Sequence, residues 1–321
     1  MNTSYMTPEH VAPYAKALGI ELADLSPIQR NEYCAIGKGT LRDGTPCIIK
    51  DYGNSDPSLG KQEADSITFY QTISGGVDGL KGCGLLAYNE AQNLLAISFM
   101  SGESYTRFVY KSLFSKDRKL IAIQHAKTVG ILLRELYQRG PVAPENELGD
   151  FMREYFQHAT DRLEKVPMLG KLILGGNTGS VDSLLSDATA SGERPSFCHG
   201  DCVPRNAHSD EHGIGLIDWA NTSEQSHILN DVYNLFTALN NMVLPPAYKT
   251  KILQALSDGL GDLTFDIRLH RFFYEYHRRR WLMLKLYTRR PWPWLQALRG
   301  LATFAKPFSP ERLGALKNQV K

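Results

Sequence analysis

Asp201, Asn206 and Asp218 sit in one short run, FCHGDCVPRNAHSDEHGIGLIDWAN, from Phe197 to Asn221. Asn206 follows Asp201 by five residues, and Asp218 follows Asn206 by twelve. An amide oxygen and a carboxylate facing one point suit magnesium, a hard ion that takes oxygen ligands and keeps waters and phosphate oxygens around it. A further carboxylate outside the metal shell can orient an attacking hydroxyl and accept its proton. Lone Asp and Asn residues mostly cap turns. Here the separated polar positions occur together, and Ile217-Asp218-Trp219 closes an apolar stretch. A competing reading takes Cys198, His199, Asp201 and Cys202 as a zinc cluster. Two cysteines separated by three residues with no second cluster make poor zinc spacing.

The elements around this run must bring its members together. Ala207 to Ser209 and Gly213 to Ile217 flank the polar turn Asp210-Glu211-His212, which predicts a small hairpin with Asn206 and Asp218 at its joined ends. Upstream, Asn31 to Leu41 and Pro46 to Tyr52 are β-compatible runs around Asp43-Gly44, a strong hairpin signal. Ser58 to Ser74 reads as a helix closed by Gly75-Gly76, and Leu85 to Tyr88 and Leu94 to Met100 as two further strands. The N-terminal stretch predicts a helix capped by Thr7, with Pro8 in its first turn and Gly19 as its stop. After Ser101-Gly102 the pattern turns helical. Lys119 to Arg139 has Leu120, Ile123, Gly130, Leu133 and Tyr137 near helical period. Phe151 to Glu164 and Val181 to Ala190 read as helices around a glycine-rich break at Leu169 to Ser180. From Leu229 onward the chain is helical, with breaks at Pro245-Pro246, Gly259 to Gly261 and Pro291 to Pro293. The expected fold class is α+β: a small β-rich N-lobe, 1–100, and a larger, mainly α-helical C-lobe, 101–321.

The run from His199 to Trp219 resembles the catalytic loop and metal motif of the aminoglycoside phosphotransferase and choline kinase superfamily, relatives of protein kinases. That family reads His-Gly-Asp, four residues, Asn, then Ile-Asp-Trp or Ile-Asp-Phe. The resemblance implies a two-lobed protein-kinase-like fold and ATP- and magnesium-dependent transfer to a hydroxyl. It implies Asp201 as catalytic base, Asn206 and Asp218 on magnesium, and Asp231 as a mainly structural aspartate. Lys50 ends the strand PCIIK and Glu63 opens the next helix, the order of a phosphate-binding lysine and its carboxylate partner. LLAISFMSGES resembles the segment that joins the lobes, with backbone near Phe99 and Met100 receiving adenine. GILLRELYQRG resembles the family's Leu-x-x-Leu-His-x-x-Gly helix, with Tyr137 where His is usual. Departures are the phosphate loop, for which Gly37-Lys38-Gly39 is a weak match and Ser26 to Asn31 the better segment, and Arg205, Ala220 and Asn234.

Composition narrows the partners. The chain has 321 residues, 42% hydrophobic and 22% charged, as an ordinary globular protein does. Five cysteines without framework spacing predict reduced thiols, and the N-terminus lacks the pattern of a signal peptide, so the expected location is cytoplasmic. Ile267 to Lys321 carries 13 Lys or Arg against Glu275 and Glu311, and the rest of the chain 23 basic against 32 acidic side chains. A polycationic aminoglycoside calls for an acidic pocket, which this basic end does not suggest. Cations mixed with Trp281, Trp292 and Trp294 point to an anionic or lipid-linked small-molecule acceptor, or to peripheral contact with the inner membrane surface. Leu269, Phe273, Tyr276, Arg280, Met283 and Tyr287 share one helical face, which Arg280 interrupts. No nucleic-acid motif is recognisable. A non-catalytic nucleotide-binding scaffold is the rival from another class, although Lys50, Asp201, Asn206 and Asp218 are all present.

Overall fold

Alternating apolar residues and tight turns fold the start of the chain into a five-stranded antiparallel sheet of order β1-β2-β3-β5-β4. The computed structural model describes residues 8–30, 33–53, 56–144, 149–150, 152–154, 157 and 181–286. The strands are β1 (Leu22–Arg30), β2 (Ala35–Leu41), β3 (Pro46–Asp51), β4 (Leu85–Asn89) and β5 (Leu94–Ser98). Helix α1 (Val11–Leu18) precedes the sheet and ends at Gly19 in the left-handed conformation. It packs on the sheet face formed by Leu22, Leu25, Cys47, Ile49, Leu94 and Ala96. Strand alternation therefore turns Ile48 and Lys50 to the opposite face. Helix α2 (Pro57–Ser74) starts at Asp56, whose carboxylate accepts from Ser58 N.

The expected phosphate loop at Ser26 to Asn31 is not a loop. Residues up to Arg30 belong to β1, and Asn31 lies outside the described residues. Pro27 removes a backbone donor, which only an edge strand tolerates, and β1 is at the sheet edge with its register shifted beside Pro27. Gly37-Lys38-Gly39 lies inside β2.

Contacts gather the chain into two compact units, Met1–Arg118 with Arg205–Thr222, and Lys119–Pro204 with Ser223–Lys321. The first unit adds a three-stranded sheet of β6 (Glu103–Ser104), β7 (Ala207–Ser209) and β8 (Ile214–Leu216), and helix α3 (Tyr105–Ser112) beside it. The second is helical: α4 (Lys116–Arg139, its first turn in the other unit), α5 (Val181–Thr189), α6 (Leu229–Asn240), α7 (Pro246–Leu260) and α8 (Ile267–Leu286). Helix α8 packs on α5 and α6. Where α4 crosses α7, Gly130 and Gly259 meet backbone to backbone: a Cβ on Gly130 would lie 2.9 Å from Gly259 Cα. The expected segments Phe151 to Glu164 (largely), Leu169 to Ser180 and Pro291 to Pro293, and the cap Thr7, lie outside the described residues.

Candidate active site

In the first unit the site is built on a buried lysine. Lys50 Nζ donates to Glu63 Oε1 at 2.6 Å and to Asp218 Oδ1 at 3.0 Å. The strand turns Lys50 away from the α1 side of the sheet, and the first turns of α2 present Glu63 to it. Burial by itself would lower the lysine pKa, but the Glu63 and Asp218 carboxylates outweigh it and hold it above the ordinary value. Lys50 is therefore a cation at every physiological pH. Glu63 is fully buried and has further donors: Trp219 N at 3.1 Å on Oε1 and the Tyr52 hydroxyl on Oε2. Each oxygen of this carboxylate is thus satisfied, which a buried charge requires. Burial first, then the Glu63 charge, pushes the Tyr52 hydroxyl far up, so it remains a donor.

The hairpin of β7 and β8 brings Asn206 and Asp218 together. Ala207 pairs with Leu216, and Ile217 N donates to Asn206 O at 2.9 Å, so Asn206 ends one strand where the chain enters Asp218 on the other. Asp218 adopts φ 67°, a left-handed conformation rare for a non-glycine residue and concentrated at functional sites. Its side chain is 45% exposed although Oδ1 meets Lys50, which leaves carboxylate surface for a cation. No group of three or more His, Cys, Asp or Glu side chains placed to hold a metal occurs among the described residues. An amide and a carboxylate from this hairpin fit magnesium, which is commonly held by few protein oxygens and completed by phosphate and water.

Phe99 and Met100 follow β5. Phe99 N donates to Pro46 O at 3.1 Å, and Lys38 Nζ lies 4.5 Å from the centre of the Phe99 ring. Met100 is buried, with its carbonyl 3.4 Å from His208 Nδ1.

The second unit holds Asp201. The loop before it is fixed by the fully buried Asp231 on α6, whose carboxylate accepts from His199 N at 2.6 Å and Gly200 N at 2.9 Å. Gly200 has φ 81°, so a glycine is needed for its amide to point there. Burial pushes the Asp231 pKa up; the His199 charge and the backbone donors oppose that shift. Asp231 thus acts as a structural anchor of the loop. Asp201 N donates to His199 Nδ1 at 3.3 Å, and Arg280 Nη2 lies 3.8 Å from Asp201 Oδ1.

Two neighbours of the site were not anticipated from the sequence. Tyr52 is two residues from Lys50, so strand alternation alone puts both on one face. Arg280 was visible as the cation that breaks an apolar helical face, but its partner lies far away in the chain. The thiols of Cys198 and Cys202 are fully buried, and burial pushes both well above the usual range. The same cause raises Cys34, near Lys50, to about 12.

A small antiparallel sheet with a buried lysine-glutamate pair, a hairpin carrying Asn and Asp, and an aspartate loop tied to a helical unit define the protein-kinase-like phosphotransferase fold. Residues 78–282 match the phosphotransferase enzyme family, and the chain belongs to it. Among solved structures the chain is similar to a choline/ethanolamine kinase family protein from Mesorhizobium loti (13% identity, 96% of this chain and 97% of that one, TM-score 0.59). It is also similar to a macrolide 2′-phosphotransferase from Brachybacterium faecium (13%, 92% and 98%, 0.53). A third is an aminoglycoside phosphotransferase from Streptomyces rimosus (18%, 78% and 91%, 0.52). No curated protein sequence matches it.

Proposed function

We propose that this phosphotransferase moves the γ-phosphate of ATP, with magnesium, to a hydroxyl of a small-molecule or lipid-linked acceptor. The observation that carries the reading is the buried Lys50 held at once by Glu63 and Asp218. A lysine so costly to bury is worth keeping where it can meet phosphate oxygens. Solved relatives with ATP and streptomycin, and with GDP, support nucleotide use. Magnesium, when bound, neutralises the charge that spreads over the transferring phosphoryl group.

In this reading residues 1–100 bind the nucleotide, and 101–321 carry the catalytic groups and bind the acceptor. Lys50, positioned by Glu63, steadies the α- and β-phosphates, and Asn206 and Asp218 hold the metal. Adenine is received by backbone of the segment around Phe99 and Met100; the Phe99 amide is committed to Pro46, so other groups there would serve. Asp201 orients the acceptor hydroxyl and takes its proton as the oxygen bonds to the γ-phosphorus and the bond to the ADP oxygen breaks. The gain comes mostly from positioning and charge stabilisation.

The test is transfer of labelled γ-phosphate into a fractionated bacterial extract, beside Asp201→Asn. The intact protein is expected to label an acceptor fraction and the variant to fall by about 10²–10⁴-fold while still binding ATP. Near-normal turnover by the variant removes Asp201 as base, and ATP binding without transfer favours a scaffold. We also propose a cytoplasmic location with peripheral contact of the basic C-terminal region with the inner membrane face. Among the described residues no helix is long and apolar enough to cross a membrane. Arg278 and Arg279 are buried, so the contact would rest on Arg268, Arg271 and the residues beyond Leu286. Association with anionic vesicles that vanishes in high salt supports it; indifference to lipid charge ends it.

A further inference from the structure

Helix α8 carries three consecutive arginines that point to three different environments. Arg278 Nε donates to Glu275 Oε2 at 2.9 Å, one turn back on the same helix, and both are buried. Arg279 is buried as well. Arg280 differs: its side chain is 30% exposed, and its guanidinium faces Asp201 at 3.8 Å, beyond hydrogen-bond reach. A pair made for stability closes to hydrogen-bond distance, as Arg278 and Glu275 do. Arg280 instead stands at loose ion-pair distance from the carboxylate, without a hydrogen bond to it. Its guanidinium thus lies beside the carboxylate that, in the kinase reading, orients the acceptor hydroxyl.

We infer that Arg280 is a specificity-determining residue that binds an anionic group of the acceptor, a phosphate or a carboxylate, beside the hydroxyl that Asp201 orients. The inference rests on the kinase reading above. A planar guanidinium matches such oxyanions with two parallel hydrogen bonds, a geometry that no ammonium can copy. An acceptor carrying an ammonium at this point would meet a like charge, with only Asp201 to offset it, and Asp201 is needed for the hydroxyl. The neighbouring groups add no compensating charge. One turn back, His277 is buried, and its ring nitrogen pairs with Asn230 Oδ1 at 2.9 Å. Burial first and the Arg280 charge second hold that imidazole well below its ordinary pKa, so it is neutral. Asp231, the other carboxylate near the loop, is spent on backbone amides. Arg280 and Asp201 therefore offer one guanidinium beside one carboxylate, which suits a hydroxyl acceptor with an oxyanion nearby.

The experiment splits a bacterial extract, lipid-linked acceptors included, on an anion exchanger before reaction. Retained and unretained compounds are then offered separately, with labelled ATP and magnesium, to the intact protein, Arg280→Gln and Arg280→Lys. The expected result is transfer into the retained fraction by the intact protein. Arg280→Gln raises the KM for that fraction by about tenfold or more with a smaller change in kcat, and Arg280→Lys restores part of the loss. A residue with only a structural role would not divide KM from kcat in this way, and melting temperatures of both variants establish that they fold. Treating the retained fraction with a phosphatase beforehand separates the two sources: lost transfer identifies a phosphate, persisting transfer a carboxylate. Transfer from the unretained fraction, or equal KM values for Arg280→Gln and the intact protein, overturns the inference while leaving the kinase reading in place. ATP binding with transfer from neither fraction overturns the kinase reading and this inference with it.

Discussion

The two units treat charge in opposite ways. Around Lys50 the charges interlock: the buried Lys50 and Glu63, the partly exposed Asp218 carboxylate, a tyrosine hydroxyl and a backbone amide are joined by hydrogen bonds. Around Asp201 the pairing is loose: the carboxylate and Arg280 face each other at 3.8 Å, with Arg280 half-buried. The second unit also keeps a buried ionisable group without charge, because His227 sits fully buried against Tyr137, Phe265 and Phe273. Under the proposed function both ligands leave at each turnover. Lys50 always meets the same nucleotide phosphates and can be fixed in advance, whereas the partly exposed, loosely paired Arg280 is left to engage the acceptor.

The largest effect expected from breaking this contrast is at Glu63. Glu63→Ala removes one partner of a buried pair and leaves Lys50 to Asp218 alone, at a cost of about 3–5 kcal/mol. Thermal unfolding should show a clear loss of stability, and ATP affinity should fall with it. A variant as stable as the intact protein would mean that the network is not what holds the lysine.

The contrast between charged and neutral storage predicts a pH dependence. Burial depresses the His227 pKa to about 3, from an ordinary value of 6.5. The folded protein keeps this ring neutral, whereas the unfolded chain protonates it below about 6.5. The unfolded state thus binds more protons between these values, and stability rises with pH across the window. Acidification from about 6.5 towards 3 should cost up to a magnitude on the order of 4 kcal/mol at this residue. His277, shifted in the same direction, adds to the effect. His227→Phe should flatten the dependence of melting temperature on pH; an unchanged slope would assign the acid sensitivity elsewhere.

Tyr52→Phe probes the network more gently. It leaves one Glu63 oxygen buried without its hydroxyl donor, at a cost of about 1–3 kcal/mol. Turnover should drop less than in Glu63→Ala, because the Lys50 contact persists. An effect confined to stability would make Tyr52 a support of the fold rather than of the lysine.

Sequence alone reached the parts that depend on local chemistry. The turn at Asp43-Gly44 places β2 against β3, and the polar turn at Asp210 places β7 against β8, both where the sequence predicts them. Lys50 and Glu63 meet because a strand residue and the first turns of the following helix are close in the chain. β1 was hidden by Pro27 and its polar neighbours, which read as a loop and are tolerated because the strand lies at an edge. In α4 the apolar spacing runs through Leu120, which is 59% exposed, while Ala122, His125 and Ala126 face inward. The basic run of α8 reads as a solvated face, yet Arg278 and Arg279 are buried, Arg278 in an ion pair with the equally buried Glu275. The meeting of Arg280 with Asp201 depends on how α8 packs, and no local pattern encodes that.

The smallest expected effect sharpens the comparison from the other side. Arg280 and Asp201 form an ion pair as Lys50 and Glu63 do, but with side chains 30% and 14% exposed rather than 7% and 0%. Partly exposed pairs at this separation contribute about 0–1 kcal/mol, because water screens the attraction and a long side chain must be ordered to gain it. Arg280→Gln should therefore shift the melting temperature by only a few degrees, about 2–4 °C per kcal/mol for a protein of this class. Its KM for the acceptor should change far more. The dissociation of stability from acceptor affinity is the signature of a residue kept for exchange rather than for folding. Should Arg280→Gln destabilise the protein as strongly as Glu63→Ala, both pairs would be structural, and the contrast between a fixed nucleotide side and an exchangeable acceptor side would fail.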